Sequence, residues 1–174
     1  MIKGLIFDCY GVLVHGSLNY LRTLTPADKR RAFDDLSHAS DRGIISGDEY
    51  VVGVGELIGI SSQEVRDIIA KQEIRSTEML ELVKSLRTTY RTALLSNVGR
   101  GAIERLFSQH ELEELFDVVV LSSEVGFTKP TREAYDITAK RLNLSPEECV
   151  MIDDILVNVE GAKAVGMQGI LFKD

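Results

Sequence analysis

The sequence predicts an α/β fold built on a doubly wound parallel sheet. Short apolar runs alternate with stretches of helical spacing through the latter part of the chain, which is the pattern of successive βαβ units. The central runs are apolar throughout, as strands covered by helices on both faces must be. Several runs end abruptly in a polar or acidic residue, where strand gives way to loop.

Taken in order, Leu5, Ile6 and Phe7 form an apolar burst that ends at Asp8 and is followed by Gly11, a buried strand entering a loop. Residues 17–75 differ. Leu18, Leu21 and Leu24, and later Val65, Ile68 and Ile69, recur at helical spacing. Polar breaks fall at Thr25 and Pro26, at Asp41 to Gly43, and at Ser46 to Glu49. Ser61 with Glu64 three residues on suits a capping box. This stretch is a helical insertion. Beyond it the spacing predicts a helix over 77–86, a strand over 91–97, a helix over 101–107 and a strand over 117–121. A helix over 131–142 follows, with Pro130 suited to its first turn. A strand over 148–152 runs into Asp153 and Asp154, a helix over 157–165 is stopped by Gly166, and residues 169–172 form a last strand.

The 174 residues suffice for one core and a small accessory lobe. Hydrophobic residues at 44% and charged residues at 27% are globular proportions. A net charge of -7 and a pI near 5.1 argue against broad binding to nucleic acid or to an anionic membrane. No apolar run has the length of a membrane helix, and the opening residues meet Asp8 too soon for a signal peptide. Cys9 and Cys149 each fall in a run that reads as a buried strand, and so as reduced core thiols of a cytoplasmic protein.

Ligands of such sheets bind outside the carboxyl ends of the strands, and here those ends hold the chemistry. They carry Asp8, Ser96 with Asn97, and Asp153 with Asp154, while Lys129 lies in the loop after the third strand. Asp8 either caps the next loop or acts as a carboxylate nucleophile. Asp153 and Asp154 either cap a helix or, facing Asp8, form an acidic cluster that needs a cation; all-oxygen ligands suit magnesium. Ser96 either satisfies local backbone groups or donates to a substrate oxygen. Lys129 is either solvated or offsets the charge of Asp8 and of a bound anion. His15, Ser17 and Arg100 lie close to these segments and read more simply as hinge or surface residues.

In this order the four segments resemble the motifs of the haloacid dehalogenase-like hydrolase superfamily. The first motif, Asp-x-Asp-x-Thr/Val, is matched from Phe7 to Leu13, the second by Leu94 to Asn97, the third by Lys129 and Pro130, and the fourth by Ile152 to Ala162. The resemblance implies a Rossmann-like core over residues 1–14 and 76–174 and a small helical cap over 15–75. It implies a magnesium-dependent phosphatase acting on a small phosphorylated molecule through an aspartyl-phosphate at Asp8. Magnesium would be held by Asp8, the carbonyl of Tyr10, Asp153 and Asp154, with Asn158 in support. Ser96, Asn97 and Lys129 would bind the phosphoryl group.

One position departs from the phosphatase pattern. Tyr10 replaces the second Asp of the first motif, the usual general acid and base, and a phenol is a poor base near neutral pH. The Asp-x-Tyr form is similar to that of the family's metal-independent 2-haloacid dehalogenases, in which the carboxylate attacks carbon. The acid pair at 153 and 154 is similar to the phosphatase branch. Three readings follow: a slow phosphatase, a dehalogenase, or a regulatory protein that keeps the metal and anion site with little catalysis.

Overall fold

The structure, a computed structural model, describes residues 1–173. Strand β1 (Gly4–Phe7) is followed by the short strand β2 (Val14–His15) and by helices α1 (Leu18–Leu24), α2 (Arg30–Asp41), α3 (Gly47–Ile58) and α4 (Ser62–Gln72). Strand β3 (Ile74–Arg75), helix α5 (Thr77–Leu86), strand β4 (Arg91–Ser96), helices α6 (Ala102–Leu106) and α7 (Gln109–Leu115) and strand β5 (Val118–Leu121) come next. Helices α8 (Ser122–Val125) and α9 (Arg132–Arg141), strand β6 (Cys149–Asp153), helix α10 (Leu156–Ala164) and strand β7 (Gln168–Leu171) complete the chain.

The main sheet is parallel throughout, in the order β5-β4-β1-β6-β7. The fold class is therefore the one the sequence predicts, a doubly wound α/β sheet. β1 lies at its centre, with Phe7 in register with Leu94 on one side and Ile152 on the other. Side chains alternate across the sheet. Phe7, Leu94 and Ile152 pack with Leu80, Val83, Ile103 and Leu115 from α5, α6 and α7. Ile6, Ala93, Leu95 and Met151 face the opposite layer, packing with Tyr135, Ala139 and Ala162 from α9 and α10.

Helices α1 to α4 enclose a separate cluster of Leu21, Phe33, Val51, Val54, Val65 and Ile69. Ser61 and Glu64 form the expected capping box of α4. The polar break at Ser46 to Glu49 is a second capping box, at the start of α3. The helical stretch leaves the main sheet after β2 and returns at β3, and these two strands pair antiparallel.

The structure departs from the sequence reading in detail. Cys9 is fully buried but lies in the loop after β1 rather than in a strand. Pro130 precedes α9 by two residues, and Thr131 takes the N-cap position. Helix α7 and the single turn α8 have no counterpart in the apolar spacing of the sequence. The first is largely polar and carries only Leu112 and Leu115 to the core, and the second spans four residues.

Candidate active site

The central strand delivers Asp8 to the edge where the strands end. Its backbone NH donates to the Ile152 carbonyl at 2.9 Å, continuing the ladder with β6. The chain then turns sharply. The NH groups of Val12, Leu13 and Val14 all point to the Cys9 carbonyl, and Gly11 adopts φ +85. A side chain at Gly11 would be strained by that φ, and its Cβ would fall 2.2 Å from an Asp154 oxygen. Glycine here lets the turn after β1 close against the loop after β6.

Lys129 is the buried cation of this edge. Its ammonium lies 2.8 Å from Asp8 Oδ1 and 2.7 Å from Asp153 Oδ2, and its side chain is 1% exposed. Asn97 fixes its backbone on both sides, accepting from the Lys129 NH at 2.8 Å and donating to its carbonyl at 2.9 Å. This pair of bonds joins the loop after β4 to the segment before α9. Burial acts to lower the lysine pKa, but the charges of Asp8 and Asp153 outweigh it and raise the pKa, so the ammonium is retained. Burial also pushes the Asp8 carboxyl up to about 7, against the opposing pull of Lys129.

Asp153 is fully buried. It accepts from Lys129, from both approaches of the Asn158 amide at 3.1 Å and from the Ile155 NH at 2.9 Å. Tyr135, from α9, donates to the Asn158 carbonyl at 2.7 Å and steadies the start of α10; sequence spacing gave no hint of this contact. Asp154 is exposed beside it. Carboxylate oxygens of Asp8, Asp153 and Asp154 all lie within 4.8 Å of one another. Three carboxylates so clustered are a setting suited to a hard divalent cation.

The remaining sequence candidates are distributed unevenly. Ser96 is buried, and its hydroxyl has no hydrogen-bond partner. Tyr10 turns toward the returning linker, where its hydroxyl donates to Glu73 at 2.7 Å, and burial raises its pKa. Glu73 also meets Arg105. His15 and Arg100 are exposed. A cleft of about 570 Å³ lined by His15, Asn19, Tyr20 and Gln72 touches this region only at Gly11.

Fold and site together define an α/β protein whose strand ends gather a carboxylate cluster around one buried lysine. The chain belongs to the haloacid dehalogenase-like hydrolases: that family's model matches residues 2–166. It is a hydrolase. It is 27% identical to a D-ribitol-5-phosphate phosphatase of Bacteroides thetaiotaomicron, over 97% of this chain and 90% of that protein. It is also 27% identical to a sesquiterpene phosphatase of Aspergillus oryzae, over 99% of this chain and 90% of that one. Among solved structures it resembles a HAD family enzyme from Bacteroides thetaiotaomicron in complex with magnesium and inorganic phosphate, with TM-score 0.82 and 23% identity, covering 99% of this chain and 95% of that one. An L-2-haloacid dehalogenase from Xanthobacter autotrophicus superposes with TM-score 0.67 at 17% identity, covering 97% of this chain and 76% of that one.

Proposed function

We propose that the protein is a magnesium-dependent phosphatase that cleaves a small phosphomonoester through an aspartyl-phosphate at Asp8. The observation that carries this reading is the clustering of Asp8, Asp153 and Asp154 within 4.8 Å. The donor set is all oxygen, and Gly11 leaves the space that the Asp154 carboxylate occupies. Asp8, Asp153, Asp154 and the Tyr10 carbonyl would hold the ion, with Asn158 orienting Asp153. When bound, magnesium offsets the charge of the phosphoryl oxygens.

The chain's own groups perform the rest. Asp8 attacks phosphorus in line with the leaving oxygen. Lys129, already beside Asp8, neutralises charge on the transferred group. The unpartnered Ser96 hydroxyl donates to one of its oxygens, which would remove the cost of a buried unpaired polar group, about 1–3 kcal/mol. Asn97 holds the Lys129 backbone in place. Residues 15–75 act as the cap that encloses substrate. Attack on carbon with departure of halide gains nothing from the three-acid cluster, so the phosphatase reading is the stronger. Among the described residues no helix is long and apolar enough to cross a membrane, and the two unbridged cysteines suit a reducing cytoplasm.

The test is hydrolysis of p-nitrophenyl phosphate and a panel of phosphorylated metabolites, with magnesium and with chelator. Magnesium-dependent phosphate release that Asp8→Asn abolishes is the expected outcome. Release that ignores both chelator and Asp8→Asn would sink the reading.

A further inference from the structure

The aspartate that serves as acid and base in related phosphatases is a tyrosine here, and the Tyr10 hydroxyl is committed to Glu73. Another residue must handle the proton if esters with poor leaving groups are to be cleaved. Besides Glu73, which Tyr10 occupies, the helical segment brings a second carboxylate toward Lys129. Asp41 is the last residue of α2. Its backbone carbonyl accepts from the Ser122 hydroxyl, which in turn accepts from the Val98 NH at 2.9 Å, two residues beyond Ser96. The neighbouring contacts are equally close. A Cβ at Gly99 would fall 2.2 Å from the Ser40 hydroxyl, and one at Gly43 would fall 2.4 Å from the Ser123 carbonyl. The end of α2 is thus seated on the loop that follows β4 and on α8 after β5, at the edge where the site lies.

The Asp41 side chain accepts no hydrogen bond from any described residue. It lies within reach of the charges of Lys129, the residue that contacts Asp8 and Asp153, and of His38 one turn back. The charge of Asp41 also acts on the Tyr50 hydroxyl. We propose that Asp41 is the acid that protonates the leaving oxygen of the substrate, the task that Tyr10 cannot perform.

The proton balance closes over two steps. Asp8 forms a bond to phosphorus as the ester P–O bond breaks, and the Asp41 carboxyl proton passes to the departing oxygen to give the free alcohol. Water then attacks the aspartyl-phosphate at phosphorus and returns a proton to Asp41, freeing Asp8 and inorganic phosphate. Burial pushes the Asp41 carboxyl up to about 6, which keeps a protonated fraction near neutral pH, and the negative end of the helix dipole also disfavours a carboxylate there. The assignment rests on the phosphatase reading.

The test compares wild type, Asp41→Asn and Asp41→Glu on p-nitrophenyl phosphate, whose phenolate leaves without a proton, and on an alkyl phosphate chosen from the metabolite panel. For Asp41→Asn, kcat/KM on the alkyl ester is expected to fall about 10²–10⁴-fold, the span of general acid help, and by at least about ten-fold more than on the aryl ester. Asp41→Glu should restore much of the alkyl rate. Equal losses on both esters, a change confined to KM, no change, or a wild type that cleaves the aryl ester alone each overturn the assignment. A wild type that cleaves neither ester overturns the phosphatase reading instead.

Discussion

Lys129 holds two buried carboxylates apart from their mutual repulsion, with contacts of 2.8 and 2.7 Å from its ammonium. Removing one member of a buried ion cluster leaves charges without a partner, at a cost of about 3–5 kcal/mol. Lys129→Met should therefore lower the urea unfolding free energy by about that amount in chelator. A loss below about 1 kcal/mol, the scale of an exposed ion pair, would show that Asp8 and Asp153 find another way to shed their charge. At this scale the sequence was legible where a polar residue ends an apolar run. Asp8, Ser96 and Asp153 stand out for that reason, and Lys129 stands out because it precedes a proline and a helix. Asp41 was hidden, since Asp41, Arg42 and Gly43 read as a polar break between helices. The Tyr10 to Glu73 contact joins residues 63 positions apart, and no local periodicity encodes such a pairing.

Among the helices, α7 shows how a short polar element is held. Ser108 and Glu111 form its capping box, and Glu111 also receives Arg75 of β3 at 2.7 Å. Arg75 lies over the Phe107 ring, 4.7 Å from its centroid. One carboxylate thus ties the start of α7 to the strand by which the helical insertion returns. Its hydrogen bond from Arg75, with those from Ser108, lowers the Glu111 pKa from 4.5 to about 2. A folded pKa below the unfolded value gives stability that is present above about pH 4.5 and lost as pH falls toward 2. Glu111→Gln should therefore destabilise the protein at pH 6 and lose most of that effect near pH 2.5, as measured by urea titration at both values. A mutant deficit that is constant with pH would assign the effect to packing rather than charge. The capping signal at Ser108 and Glu111 was present in the sequence. It is a weak signal there because the run behind it is polar. The large helices and central strands were legible because their burial imposes a strict period, whereas strand order is a matter of long-range pairing.

At the scale of the whole molecule, the helical insertion joins the sheet through paired strands, with Val14 opposite Arg75 and His15 opposite Ile74. Two strands so placed can be closed by a two-residue Asn-Gly turn. Replacing residues 16–73 by that turn should yield a chain that still unfolds in one cooperative transition, because the two layers on the sheet draw their packing chiefly from outside the excised segment. A broad, non-cooperative transition would mean that the core depends on the insertion. The position of β1 has a consequence for synthesis on the ribosome. Its Gly4 lies beside Cys149 and its Phe7 beside Ile152, so β1 is completed by a strand made much later. Contacts of such separation close slowly, whereas the four helices of the insertion need only near neighbours. A nascent chain that has not yet extruded β6 holds Asp8 beside an unfilled strand position, with no Asp153 to share Lys129. The carboxylate cluster is therefore assembled only once β6 has emerged, and a product truncated before β6 exposes a sheet edge prone to wrong pairing.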